Sequence, residues 1–156
     1  MTWPIVTLPI ETESDVVVVR QRARHIAELL GFGRQDQTQI ATAVSEIVRN
    51  AFSYARGGRA EFMIDPVETP QILRIRVADK GPGIANLQSI LDGQYRSQSG
   101  MGLGLIGARR LMDHFRVETA AGKGTTVELD QRLPQRNSPI TQTSGSCRST
   151  CFSAER

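Results

Sequence analysis

Disulfides, a membrane span and a cysteine-based metal site are all missing from this chain of 156 residues. Its two cysteines, Cys147 and Cys151, lie in a polar C-terminal stretch, and neither His25 nor His114 is near enough in sequence to complete a zinc set. Reduced, solvated thiols are expected, so an apolar core must hold the fold, which a chain of this length can supply as one domain. The longest apolar run near the start, Val16 to Val19, is far short of the roughly 20 residues a span needs, and no charged-then-apolar export signal precedes it. A cytoplasmic location with no membrane partner is expected. Net charge is only +3, and two of those charges fall after Leu133, leaving no basic surface that would draw nucleic acid. Also absent are G-x-x-x-x-G-K-[ST] and H-R-D followed by D-F-G, which excludes the P-loop class and the common protein-kinase fold.

What is present is a regular alternation of elements. Ile5 to Ile10, with Pro4 and Pro9, suits an edge strand. Glu13, Ser14 and Asp15 offer N-cap oxygens to a helix carrying Val16, Val19, Ala23, Ile26, Ala27 and Leu30, which stops at Gly31. Asp36 can cap a second helix, in which Ile40, Val44, Ile47, Val48 and Ala51 recur at helical spacing until Arg56-Gly57-Gly58. Strand patterns follow at 59–64 and 71–78, where Arg74 and Arg76 alternate with Leu73, Ile75 and Val77, so one face is wet and the other should receive the helices. A short helix over 86–91, a polar loop, a helix over 103–114 and a hairpin of 115–119 with 125–129 around Gly122-Lys123-Gly124 complete the pattern. This predicts an α+β two-layer sandwich, with helices on one face of a mixed, mostly antiparallel sheet, over residues 1–133. The polar composition of 134–156 predicts a disordered tail or linker that adds nothing to the core.

Three segments carry chemistry. Glu46 and Asn50 are one helical turn apart, so both can reach one ligand: a carboxylate able to take a proton from an attacking hydroxyl, and an uncharged amide oxygen able to hold Mg²⁺. The same spacing is common on plain solvated helix faces. Asp79 ends a hydrophobic strand ahead of Gly81 and Gly83, where a carboxylate can accept the exocyclic amino proton of adenine while glycine lets a base lie against the backbone, although Asp-Lys-Gly-Pro is also an ordinary turn. Gly100, Gly102 and Gly104 lead into a helix whose exposed N–H groups form an anion site suited to phosphate. Gly102-x-Gly104-x-x-Gly107 also fits the dinucleotide fingerprint, but that motif should follow a hydrophobic strand and 92–99 is polar.

Taken in order, Glu46-x-x-x-Asn50, Asp79-x-Gly81-x-Gly83, Gly100-x-Gly102-x-Gly104 and Gly122-x-Gly124-Thr125 resemble the N, G1, G2 and G3 boxes of the Bergerat-fold (GHKL-type) ATPases, the superfamily of gyrase, Hsp90, histidine kinases and MutL. Within it, Asp15-Val-Val-Val-Val-Arg20-Gln21, Leu30-Gly31-Phe32-Gly33, the stretch from Thr42 to Asn50 and Arg109-Arg-Leu-Met-Asp113 resemble the stressosome switch serine/threonine kinases, relatives of the anti-sigma-factor kinases. The resemblance implies ATP and Mg²⁺ as cofactors, with Glu46 as general base, Asn50 as Mg²⁺ ligand, Asp79 with Gly81, Gly83 and Thr125 at the adenine end, and Gly100, Gly102, Leu103, Gly104 and Leu105 as a phosphate-side lid. Arg20 and Arg49 also match family positions. The resemblance further implies phosphorylation of STAS-domain partners and activation of a PP2C-type phosphatase. A nucleotide-gated anti-sigma or partner-binding module without turnover is the alternative. A histidine-kinase-type ATP-binding domain fits less well, since no phosphoacceptor-histidine segment precedes the boxes and His25 lacks an acidic neighbour on its C-terminal side.

Overall fold

The computed structural model describes residues 1–55, 57–85, 87–92, 101–135, 139–142 and 152–153. Its elements run β1 (Trp3–Ile10), α1 (Glu13–Leu29), α2 (Arg34–Ala55), β2 (Gly58–Asp65), β3 (Ile72–Asp79), α3 (Leu87–Leu91), α4 (Met101–Leu111), β4 (His114–Ala120) and β5 (Gly124–Arg132), followed by the two-residue strands β6 (Thr141–Gln142) and β7 (Phe152–Ser153). The main sheet has the order β1-β2-β3-β5-β4, with β6 and β7 pairing separately. Every ladder among the described residues is antiparallel, so the expected mixed sheet is corrected to a fully antiparallel one. Proline-bearing β1 lies at the edge, the position in a sheet where missing N–H groups are best tolerated.

Alternation in β3 gives the sheet its two faces. Leu73, Ile75 and Val77 are buried with Phe62 and Leu129 beneath α1, α2 and α4, from which Val19, Ala23, Val44, Ile47, Leu105 and Ala108 close the core. On the other face Arg74 forms a bidentate pair with Asp130 at 2.8 and 2.9 Å and also reaches Asp65 at 3.3 Å. Arg76 binds Glu128 at 2.7 Å. The hydrogen bonds that Arg74 donates to Asp130 hold its guanidinium ionised even more firmly than usual, against a smaller opposing effect of burial. Cations and anions thus alternate across the strands and neutralise that face.

Local boundaries moved for identifiable reasons. α1 starts after Thr12, and Asp15, three residues into the turn, accepts the backbone N–H groups of Glu11 and Thr12, both at 2.9 Å. α2 begins at Arg34, two residues before the expected cap Asp36, which instead places its charge in the first turn. The helix expected to run to His114 ends at Leu111, because His114 opens β4 opposite Asp130. The tail expectation also needs correction at Ile140. This residue is buried in the core, and its backbone is gripped twice by the Gln71 side chain, Nε2 donating to the Ile140 carbonyl at 3.0 Å and Oε1 accepting its N–H at 2.9 Å. Packing therefore continues beyond Leu133, itself tied to the Gln71 carbonyl at 2.8 Å.

Candidate active site

The 22-residue helix α2 crosses the buried face of the sheet and carries Glu46 and Asn50 on the side that meets α4. Gly104 of α4 sits directly over them. A β-carbon there would stand 3.2 Å from Glu46 Oε2 and 3.4 Å from Asn50 Nδ2, so the absence of a side chain allows this close approach of the two helices. Asn50 Nδ2 is buried with no hydrogen-bond partner among the described residues. An orphaned donor of this kind costs roughly 1 to 3 kcal/mol unless something fills it. A phosphate oxygen could accept from Nδ2, while Oδ1 could hold a cation.

Glu46 is partly exposed, its side chain 37% accessible, and lies 3.5 Å from the guanidinium of the more exposed Arg49. Such an exposed pair contributes little to stability, and the carboxylate stays open to an incoming hydroxyl. Arg20 lies exposed on α1.

Between α2 and the ends of β3 and β5 opens a cavity of about 180 Å³. Ile47, Ala51, Val77, Ile84, Leu105 and Val127 supply apolar walls, while Asn50, Asp79 and Thr125 converge as polar groups. Apolar walls with a few placed polar atoms suit a flat heteroaromatic base. Asp79 pairs with Thr125 in the β3–β5 ladder, and its Oδ1 accepts the N–H of Gly81 at 2.9 Å and that of Thr125 at 3.2 Å. Its Oδ2 makes no hydrogen bond with a described residue and remains available to a donor in the cavity. Gly81 packs on α2 so closely that a β-carbon would run into Ala55, which lets the turn after Asp79 fold down onto the helix. Gly83 lines the cavity beside Ile84.

Of the residues singled out by sequence, Asn50, Asp79, Gly83, Leu105 and Thr125 line one cavity, with Gly81 hydrogen-bonded to Asp79. Glu46 and Gly104 stand together at its α4 end. Gly100 lies outside the described residues; Gly102 and Leu103 fall within α4, in its first turn. Ala51, Tyr54, Ala55, Ile84 and Val127 also line the cavity and were not foreseen as site residues. Ala51 and Ala55 could have been found, since they continue the Ile47 stripe at intervals of four with side chains small enough to leave room. Thr119 was missed as well; its hydroxyl joins Thr125 and Ile84, and no sequence pattern marks it.

No group of three or more His, Cys, Asp or Glu among the described residues could hold a metal ion. A cation beside Asn50 would take the rest of its shell from phosphate oxygens and water, the usual mode for Mg²⁺ with nucleotides. The orphaned amide and the adjoining cavity fit such a group.

Comparison with known proteins covers the same stretch of the chain. Residues 35–137 match the family described as histidine kinase-, DNA gyrase B- and HSP90-like ATPase. Over 121 residues the chain is 40% identical to the serine/threonine-protein kinase RsbT of Bacillus subtilis, covering 76% of this chain and 90% of that protein. It is 33% identical over 108 residues to the anti-sigma F factor of Pasteuria penetrans, covering 64% of this chain and 70% of that one. Among solved structures, the RsbU and RsbW domains of a Mycobacterium tuberculosis protein superpose with a TM-score of 0.58 at 24% identity. That match takes in 90% of this chain but 35% of the larger one, and it speaks to the fold alone.

Proposed function

The chain belongs to the histidine kinase-, DNA gyrase B- and HSP90-like ATPase family, and from that premise we propose that it is an ATP-dependent serine/threonine kinase of a partner-switching module. Its substrates on this reading are hydroxyl side chains of STAS-domain proteins, and the free kinase also activates a PP2C-type phosphatase by binding it. The observation that carries the reading is the group at the α2–α4 crossing, where a partly exposed carboxylate and an orphaned amide face one glycine at the mouth of a base-sized cavity.

Each residue has a distinct task. Asp79 accepts the amino group of the base, Thr125 supports it, and Asn50 holds the phosphate–cation end. The bound Mg²⁺–ATP supplies an electrophilic terminal phosphoryl group whose charge is partly neutralised by the metal. Glu46 takes the proton from the attacking hydroxyl, and its exposure leaves room for a partner's side chain to arrive. The absence of a membrane-crossing helix among the described residues is compatible with a cytoplasmic partner.

Identity with anti-sigma F factors favours one other reading, a nucleotide-gated binding module without turnover. Incubating the chain with labelled ATP, Mg²⁺ and STAS-domain proteins from the same genome separates the two. Label on a serine or threonine of the STAS protein supports the kinase. ADP binding and complex formation with no label would move the conclusion to the binding module.

A further inference from the structure

If the chain is a kinase, as proposed above, the carboxylate of Glu46 has to present one oxygen to the acceptor hydroxyl. Its two oxygens have different surroundings. A β-carbon at Gly104 would stand 3.2 Å from Oε2 and 3.4 and 3.6 Å from Asn50 Nδ2 and Oδ1, so Oε2 and the amide share the space over that glycine. Oε1 instead meets Arg49, whose Nη1 donates to it at 3.5 Å. Oε2 is therefore the oxygen on the Asn50 side, where the phosphate–cation end of a nucleotide would lie.

Left alone, a glutamate does not keep this arrangement, because its last torsion is broad and the carboxylate turns easily about it. Among the described residues Arg49 is the only charged partner of Glu46. With side chains 57% and 37% accessible, the pair adds little to stability, so its effect lies in direction. Charge-assisted N–H···O bonds usually measure about 2.7 to 2.9 Å, and the longer contact here steers Oε1 without gripping the carboxylate against a proton. We propose that Arg49 is a positioning residue for Glu46: by holding Oε1 it keeps Oε2 over Gly104 as the proton-accepting oxygen. The proton of the acceptor hydroxyl passes to Oε2, the electron pair of the hydroxyl oxygen forms the bond to the terminal phosphorus, and the pair of the broken phosphorus–oxygen bond leaves with ADP.

The test is a double-mutant cycle in single-turnover transfer from labelled ATP to a STAS-domain protein, joined to carbon-13 spectra of the Glu46 carboxyl in the nucleotide-free protein. Arg49→Ala is expected to slow transfer about tenfold, the effect of one charge-assisted hydrogen bond, with ADP affinity, affinity for the STAS protein and melting temperature near wild type. Arg49→Lys should recover most of the rate, because a contact that is not bidentate needs only one donor. In a Glu46→Gln background Arg49→Ala should change little, since the arginine acts through that carboxylate. The Glu46 carboxyl resonance should move in Arg49→Ala and return toward its wild-type position in Arg49→Lys. Wild-type transfer by Arg49→Ala, an unmoved resonance, or no recovery in the lysine variant overturns the assignment. So does an undiminished tenfold loss in the Glu46→Gln background, which would put Arg49 directly on the nucleotide or the partner. Absence of transfer by the wild type is a different result: it brings down the kinase reading itself, while the carboxyl resonance still reports whether Arg49 orients Glu46.

Discussion

At its C-terminal end strand β3 delivers Asp79 to a cavity where one carboxylate oxygen stays available and the neighbouring Asn50 Nδ2 has no hydrogen-bond partner among the described residues. At its N-terminal end, roughly 25 Å away for eight extended residues, it begins beside Gln71, whose side-chain amide both donates to and accepts from the backbone of Ile140. One strand thus joins an end that withholds hydrogen bonds from the protein to an end that completes them. Unfilled polar groups cost stability and are tolerable where a ligand fills them, whereas filled ones add stability and leave nothing for a ligand. Substitutions at the two ends should therefore separate activity from stability.

The largest effect is expected from Glu46→Gln, which keeps size and helix propensity but removes proton acceptance. Phosphotransfer to a STAS-domain substrate should fall by roughly 10²- to 10⁴-fold, about 3 to 5 kcal/mol in barrier. ADP affinity should barely change. A variant that transfers phosphate at the wild-type rate would remove Glu46 from the chemistry.

At the opposite end, Ile140→Ala removes a buried side chain and should lower stability by about 2 to 4 kcal/mol in thermal or urea unfolding. Calorimetric ADP affinity of the folded variant should match wild type. An unchanged melting temperature would show that the segment after Leu133 is not part of the core packing, and a loss of affinity would join the two ends that the structure separates.

Asp79→Asn sharpens the contrast from the cavity side. The Asn amide oxygen can still accept the Gly81 and Thr125 N–H groups, so the fold should hold, but the available position becomes a donor facing the adenine amino group. Binding of ADP should weaken by about ten- to a hundredfold with little change in melting temperature. Unaltered ADP affinity would take Asp79 out of the base site.

The smallest effect lies at neither end. The backbone N–H groups of Glu11 and then Thr12 hold the Asp15 carboxyl below the usual carboxylate range. Because its folded pKa is lowered, its stabilisation is present above the unfolded value of about 3.9 and is lost as pH falls through the lower folded value. Melting curves between pH 3 and 5 should show a slightly shallower acid loss for Asp15→Asn than for wild type, and ADP affinity at neutral pH should be the same. Parallel acid profiles would mean the α1 start does not depend on that charge.

Sequence alone determined the elements with strong periodicity, because burial of one face imposes its period on any chain that folds around it. Leu73, Ile75 and Val77 against Arg74 and Arg76, or the Ile40-to-Ala51 stripe, leave only one way to hide apolar surface. Glu46, Asn50 and Asp79 stood out as candidates for another reason, since local spacing and glycine neighbours restrict what those backbone segments can do, whereas Thr125 was implied only by the family resemblance. Weakly patterned parts were settled by tertiary structure. Polar composition around Ile140 hid its burial, which depends on Gln71 from sixty-nine residues earlier offering both halves of an amide. That every ladder among the described residues is antiparallel became visible only with the strand order β1-β2-β3-β5-β4. Thr119 carries no motif, and its part in the site exists only because β4 lies beside β5, bringing one hydroxyl against another and against the N–H of Ile84. Periodicity is a local property that a sequence displays, but a hydrogen-bond partner is chosen by proximity in space, and proximity across strands is created only when the chain folds.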